Sequence, residues 1–239
     1  EPEAVKRPGP GARLAAIDVG SNSIRLLIAQ YDPATGLAPI DEIKAQPRLA
    51  QGLAATGRLD PAAMERALTA LRRMADVCRR RGATTIAAVA TAAVREAKNG
   101  DEFVRRVRDE LGLPLQVITT EHEAQLSWRS VRHHFRLDNT KSIIADIGGG
   151  SLELVGAVDG LVEYTTSLPF GAVRTTETWL PGKRDSRKEI AALRAEYEFR
   201  GLDREPDTFA LYRIIGNDLF PRHERGQSVR SVRFILENE

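Results

Sequence analysis

The chain has 239 residues, of which 42% are hydrophobic, 28% charged and 5% aromatic, a composition typical of a soluble globular protein and not of a fibre or a disordered tail. Lys and Arg (35) nearly balance Asp and Glu (33), which excludes a global positive field for nucleic acid and makes any anion site a local one. A single cysteine, Cys78, excludes an internal disulfide framework and indicates a reducing compartment.

The first segments of the chain predict a leader followed by a strand meander. Residues 1–11 are rich in Pro, Gly and charge and contain no apolar core, which predicts a flexible leader. Two apolar runs, Leu14–Val19 and Ile24–Tyr31, flank a polar break and predict a hairpin, to which Leu37–Ala45 adds a third strand. Apolar stretches along the chain are far shorter than the roughly 20 residues that span a bilayer, so we expect a cytoplasmic protein without a membrane partner.

Helices and strands alternate in the next segment. Asp60 and Pro61 supply an N-cap and a first helical residue, and apolar residues, Cys78 among them, recur at helical spacing until Gly82. The elements predicted after this helix are a strand at Thr84–Ala90, helices at Ala92–Ala97 and Asp101–Leu111, a strand at Leu115–Ile118 and a helix at Glu121–Phe135.

The three-strand pattern then restarts. Strands are predicted at Ser142–Asp146, Leu152–Val158 and Leu161–Ser167, and a capping box predicts a helix from Ser186 to about Phe199. The turn after Asp146 repeats the layout of the turn after Asp18. A repeat of about 130 residues predicts two lobes, each offering an aspartate and a glycine turn to a shared cleft.

Turns of this composition suit phosphate. Glycine and short polar residues let successive backbone N–H groups converge on an anion, as predicted for Gly20, Ser21, Asn22 and Ser23 in the first turn and for Gly148, Gly149, Gly150 and Ser151 in the second. One such turn alone is more often a plain hairpin, but two copies at matching places favour a site. A strand follows each turn, so neither a P-loop nor a dinucleotide-binding motif fits.

Five segments, in order, resemble the successive motifs of the exopolyphosphatase and guanosine pentaphosphate phosphohydrolase family: Ala16–Ala29, Thr91–Arg95, Ile118–Leu126, Ile144–Leu154 and Ser167–Val173. The resemblance covers residues 12–196. It implies an α/β, actin-like fold of the ribonuclease H-like type, with a first lobe at 12–137 and a partial second lobe at 138–196. Residues 197–239 match nothing in the family and form a tail of unknown structure.

The resemblance implies a hydrolase acting on acid anhydrides. It would release terminal phosphate from inorganic polyphosphate or guanosine pentaphosphate, with Mg²⁺ as cofactor and without a specific nucleic-acid partner. By position, Glu123 activates the attacking water, Asp146 and Glu153 are the acids of the second turn, and Arg95 offsets phosphate charge. Asp18 and Asp146 would hold the metal, and apolar surface left open by a partial lobe favours a homodimer.

Other interpretations of the same residues stay open. Glu123 could be a solvated helix carboxylate, Glu153 an outward-facing strand residue and Arg95 a surface cap. An arginine cluster is more often a solvated helix face than a polyanion track, and it comprises Arg72, Arg73, Arg79, Arg80 and Arg81.

The function has alternatives too. His122 and Gln125 differ from residues common in the family, which bears on substrate preference. The second hypothesis is a weakly active or inactive module that binds polyphosphate or a guanosine alarmone. A sugar or acetate kinase of the same fold would need an adenosine-binding segment, which we do not find in the sequence.

Overall fold

The computed structural model describes residues 8–135, 137, 141–179 and 209–215, with the backbone alone for 179 and 209–215. Internal contacts divide the chain into a first unit, residues 1–118, and a second unit, residues 119–239. This division falls before the boundary of 137/138 expected from the sequence, because the helix that begins at Thr120 packs on the strands of the second unit.

The elements follow the predicted order closely. The first unit contains β1 (Arg13–Val19), β2 (Ile24–Asp32), β3 (Gly36–Ala45), α1 (Leu53–Thr56), α2 (Pro61–Arg80), β4 (Thr85–Ala90), α3 (Ala92–Glu96), α4 (Gly100–Leu111) and β5 (Leu115–Val117). The second contains α5 (Thr120–His134), β6 (Lys141–Ile147), β7 (Leu152–Val158), β8 (Leu161–Leu168), α6 (Ala172–Trp179) and β9 (Phe209–Ile215).

The two sheets share one topology. In the first unit the strand order is β3-β2-β1-β4-β5, with β1, β2 and β3 antiparallel and β4 parallel to β1. In the second the order is β8-β7-β6-β9, again with a three-strand meander and a fourth strand parallel to the first. The internal repeat predicted from the sequence is confirmed at the level of strand pairing.

Helix α2 shows how the sequence builds the first unit. The Asp60 carboxylate accepts the Ala63 N–H at 2.9 Å and caps the helix at Pro61. Apolar residues at helical spacing, from Met64 to Cys78, are buried along one side. Burial raises the pKa of the Cys78 thiol, and the expectation that Cys78 lies in the core is confirmed.

Three elements were not predicted. The short helix α1 and the helix α6 follow strands, and β9 lies within the tail for which the sequence predicted no structure. Strand β9 pairs with β6 in parallel along its whole length, so the second sheet has four strands where three were expected. The helix predicted from Ser186 to Phe199 and the rest of the tail lie outside the described residues. Among the described helices, none is long and apolar enough to cross a bilayer.

Candidate active site

Both glycine turns are closed in the same way. The N–H of Gly20 donates to the carbonyl oxygen of Ser23 at 3.0 Å, and the N–H of Gly148 donates to that of Ser151 at 2.9 Å. Ser21 and Ser151 are each only 4% exposed. The backbone conformation of the turn is thus kept in both copies of the repeat.

The first turn is held by the chain that follows β3. The carbonyl oxygens of Ser21 and Asn22 accept the N–H groups of Ala50 (2.9 Å) and Arg48 (3.1 Å). Because C=O and N–H point in opposite directions across a trans peptide, the N–H groups of Asn22 and Ser23 point away from that chain. Two successive N–H donors on one side of a turn form an anion-binding arrangement.

The second turn is held by the start of α6. The carbonyl oxygen of Gly148 accepts the Ala172 N–H at 2.9 Å, and that of Gly149 accepts the Val173 N–H at 2.9 Å. By the same peptide geometry, the N–H groups of Gly149 and Gly150 point away from α6. The N–H groups of the first turn of α6 therefore support the glycine turn, and the glycine turn presents its own pair of donors on the opposite side.

Gly171, just before α6, makes the closest approach to this turn. A Cβ atom at Gly171 would lie 2.3 Å from the backbone N and C atoms of Gly150 and from the N atom of Ser151. Only a residue without a side chain fits against the turn at this distance. Gly171 lies in the motif segment Ser167–Val173, but the sequence predicted no role for it.

The aspartates before the two turns face different partners. Across the β1–β2 pair, Asp18 lies directly opposite Arg25, whereas across the β6–β7 pair Asp146 lies directly opposite Glu153. Directly opposed residues of an antiparallel pair place their side chains on the same face. Asp146 is 7% exposed and Glu153 is 1% exposed, so the second unit buries two neighbouring carboxylates. The interpretation of Glu153 as an outward-facing residue is wrong, because it shares its face with Val155 under α5.

Each of these two acids accepts a serine hydroxyl. The Ser127 Oγ donates to Asp146 Oδ2 at 2.6 Å, and the Ser167 Oγ donates to Glu153 Oε1 at 3.1 Å. Ser127 belongs to α5, and Ser167 lies opposite Glu153 on β8. The paired carboxylates are therefore tied both to the helix and to the neighbouring strand.

Glu123 lies in the first turn of α5 and is half-buried. The Thr119 hydroxyl caps this helix by accepting the His122 N–H at 3.2 Å. Glu123 and Ser127 are four residues apart, so they share one side of the helix at a spacing of about 6 Å between Cβ atoms. His122 and Gln125 are exposed. The second unit thus brings together Glu123 and, through Ser127, the two carboxylates.

Arg95 lies at the end of α3 in the first unit. One of its terminal nitrogens, Nη1, donates to the carbonyl oxygen of Ile118 at 3.0 Å in a partly buried setting. This bond uses one of the five N–H donors of the guanidinium. It fixes the end of β5 at the point where the first unit ends.

The arginines of α2 and α4 are largely engaged with acids. Three members of the arginine cluster contact acids: Arg72 contacts Glu110 at 3.4 Å, Arg79 contacts Asp76, and Arg81, just after α2, contacts Asp41 at 2.7 Å. On α4, Arg106 bridges Glu65 and Glu110. The hydrogen bond from Arg106 lowers the pKa of Glu65. These pairs agree with the interpretation of a solvated helix face and give no support to a polyanion track. His133 and His134, in the last turn of α5, are exposed.

The donor set fits one kind of metal site. Among the described residues, no group of three or more His, Cys, Asp or Glu side chains is arranged to hold an ion. Mg²⁺ is usually held by one or two carboxylates together with water and substrate phosphates. Asp146 and Glu153, which are buried opposite each other, satisfy that requirement. Asp18 lies opposite Arg25 in the strand register and not opposite a second acid, which makes it the weaker candidate. The guanidinium of Arg25 lies 3.5 Å from a carboxylate oxygen of Glu42.

Sequence reasoning missed Ser127, Ser167 and Gly171. Ser127 carries a signal in its spacing, since it lies four residues after Glu123 and next to the buried Trp128. Ser167 falls opposite Glu153 once the β7–β8 turn is fixed. Neither contact can be derived before the packing of α5 and the strand register are known.

Comparison with known proteins identifies the relatives of this chain. The Ppx/GppA phosphatase family model matches residues 27–211. Exopolyphosphatase 1 of Mycobacterium leprae is 37% identical over 182 residues, which cover 76% of this chain and 54% of the relative. The chain thus spans about half the length of the curated relatives it matches.

Solved structures agree. The crystal structure of the Aquifex aeolicus member of the Ppx/GppA family is 34% identical, with a TM-score of 0.63 over 78% of this chain and 60% of that one. An exopolyphosphatase from Cytophaga hutchinsonii, 24% identical, matches with a TM-score of 0.71 over 77% and 59% of the two chains and supports the fold alone. These matches confirm the α/β, actin-like fold class.

Proposed function

Because the chain belongs to the Ppx/GppA phosphatase family, we propose that it is a phosphohydrolase that releases terminal phosphate from inorganic polyphosphate. One observation carries the proposal: Asp146 and Glu153 are buried side by side next to a turn with outward N–H donors. Two carboxylates buried side by side repel each other, which is unfavourable unless positive charge lies nearby. A cation together with the phosphate that it neutralises would relieve this charge.

In this proposal, different residues of the second unit bind the phosphate, hold the metal and activate the water. The N–H groups of Gly149 and Gly150 bind oxygens of the terminal phosphoryl group. Asp146 and Glu153 would hold Mg²⁺, which when bound would offset the charge of the phosphate oxygens. Glu123 orients a water molecule and accepts its proton while the water oxygen attacks the terminal phosphorus. The P–O bond between the terminal phosphorus and the rest of the polyphosphate breaks. The products are phosphate and a polyphosphate that is shorter by one phosphate unit.

The first unit carries a second possible phosphate-binding arrangement of its own. The N–H groups of Asn22 and Ser23 form a second anion-binding arrangement, and Arg95 adds positive charge for bidentate contact with phosphate. Because Asp18 faces Arg25, we assign the metal to Asp146 and Glu153.

We also propose guanosine pentaphosphate as a substrate, because the chain belongs to the Ppx/GppA phosphatase family. Its terminal phosphate is also held by a phosphoanhydride bond, so the same groups could act on it. A parallel assay with the two substrates distinguishes them. Binding of either substrate by folded protein without turnover would instead favour the regulatory binding module.

The test compares two glutamates of the same helical turn. In Glu123→Gln we expect phosphate release from polyphosphate to fall about 10²- to 10⁴-fold, because a general base is lost. Glu121→Gln is the matched control, since Glu121 is exposed in the same turn of α5, and it should keep nearly full activity. Chelation of Mg²⁺ should abolish turnover. Equal activity of both variants would remove Glu123 from the mechanism.

A further inference from the structure

Ser127 approaches the paired carboxylates of the second unit more closely than Ser167 does. Its Oγ lies 2.6 Å from Asp146 Oδ2, the length of a strong hydrogen bond between a hydroxyl and a charged oxygen. We infer that Ser127 is a positioning residue, an inference that rests on the proposed function. Its hydroxyl fixes the carboxylate of Asp146 in the orientation that would hold Mg²⁺. The same hydrogen bond links that carboxylate to α5, the helix that carries Glu123.

The position of Ser127 on α5 supports this role. The side of α5 that faces the sheet buries Ala124, Trp128 and Val131 in one apolar cluster with residues of β6 and β7. Ser127 is half-buried between that cluster and Glu123. Buried polar groups are usually hydrogen-bonded, and the Ser127 hydroxyl donates such a bond to the buried carboxylate of Asp146.

Ser127 and Ser167 each bind one of the two carboxylates, but different parts of the structure hold them in place. Ser167 and Glu153 are register partners on adjacent strands, so their contact at 3.1 Å is maintained by the sheet itself. The Ser127 contact joins two elements that approach by side-chain packing. Loss of the Ser127 hydroxyl would therefore release the Asp146 carboxylate from α5, while Glu153 keeps its strand partner.

A role in stability alone predicts a different outcome from a role in positioning. A hydroxyl that only anchors α5 would lower the melting temperature when removed and leave the folded protein equally active and equally able to bind Mg²⁺. A positioning hydroxyl affects the metal and the chemical step. Removal of a residue that orients a metal ligand costs about 10- to 100-fold in metal affinity or activity.

The experiment uses three variants of the whole chain. For Ser127→Ala we expect kcat on polyphosphate to fall about 10- to 100-fold with KM nearly unchanged, and the Kd of Mg²⁺ alone, measured by calorimetry without substrate, to rise about tenfold. Ser127→Thr retains the hydroxyl and should restore both quantities to within a few-fold. Ser130→Ala, in the next turn of the same helix, should match the unmodified chain.

The outcomes keep the inference distinct from the proposed function. If the unmodified chain binds Mg²⁺ but does not hydrolyse polyphosphate, the proposed function fails, while the Mg²⁺ affinity of Ser127→Ala still tests the inference. Wild-type kcat and Mg²⁺ affinity in Ser127→Ala, with only a lower melting temperature, would overturn it. It is also overturned if the unmodified chain neither hydrolyses polyphosphate nor binds Mg²⁺, because Asp146 would then have no ligand to be positioned for.

Discussion

The two glycine turns of this protein have nearly the same backbone and different chemistry. Both are closed by an N–H donated to a serine carbonyl three residues on, but Asp18 faces Arg25 while Asp146 faces Glu153. In the first unit the residue opposite the acid is an arginine, whose guanidinium lies 3.5 Å from Glu42. In the second, two buried acids adjoin each other, an arrangement that favours a cation beside them. In our proposal the duplicated backbone offers an anion-binding arrangement in each unit, and the residue opposite the aspartate determines which copy suits a metal.

The supports of the two turns also differ. The first turn is held by an irregular segment after β3, and the second by the first residues of α6. N–H groups at a helix start often bind anions themselves. Here the N–H groups of Ala172 and Val173 bind the carbonyl oxygens of the turn, so these two donors support the turn and are not directed at a ligand.

The largest effect expected from this comparison follows the loss of one acid. Asp146→Asn or Glu153→Gln should lower kcat about 10²- to 10³-fold, because each removes charge arranged for the metal and phosphate. Asp18→Asn should cost clearly less, since Asp18 lies opposite Arg25 and not opposite a second acid. Phosphate release by the three variants gives the measurement.

Stability provides the control for this prediction. Glu153→Gln removes one of two like charges that face each other, so its melting temperature should equal or exceed that of the unmodified chain, as for other sites that trade stability for function. Equal losses of activity in Asp18→Asn and Asp146→Asn would show that the two turns are functionally equivalent. That result would contradict the assignment of the metal to the second unit.

Part of this contrast could be read from the sequence. The turns were predictable because apolar runs flank polar tetrapeptides, and the facing residues follow by counting outward from each closed turn. Glu153 was nevertheless open to an outward-facing interpretation, because its neighbours Leu152 and Leu154 alternate with it. Which face of the strand is covered depends on where α5 packs, and local sequence does not contain that information.

Long-range pairing explains the other omissions. Strand β9 pairs with β6 across more than 60 residues of sequence, and no motif was recognised in its segment, so its apolar run could not be placed. The family model nevertheless extends to residue 211, and the expectation that nothing after residue 196 matches the family is wrong. The role of Gly171 depends on its approach to Gly150, which is a tertiary contact. Motif resemblance found the segment that contains Gly171, but it did not find the reason for the glycine.

The next effect in size tests the support of the second turn. In Gly171→Ala the new Cβ would overlap Gly150 backbone atoms at 2.3 Å, so we expect a loss of about 1–3 kcal/mol of stability together with loss of phosphate release. Gly100→Ala is the matched overlap in the first unit, where the Cβ would lie 2.1 Å from the Val94 carbonyl oxygen. Denaturant unfolding and turnover are measured for both. Retained activity in Gly171→Ala would show that the turn tolerates displacement.

The smallest effect compares two helix caps that use the same chemistry. Asp60 caps α2 by accepting the Ala63 N–H, and Thr119 caps α5 by accepting the His122 N–H. Replacing either residue by alanine should cost about 1 kcal/mol of stability. Only Thr119→Ala should also lower kcat, by a few-fold, because fraying of the first turn of α5 displaces Glu123, whereas α2 carries none of the proposed catalytic groups. The unfolding free energy and kcat are measured for both variants. Equal kcat in the two variants would mean that the position of Glu123 does not depend on an intact first turn of α5.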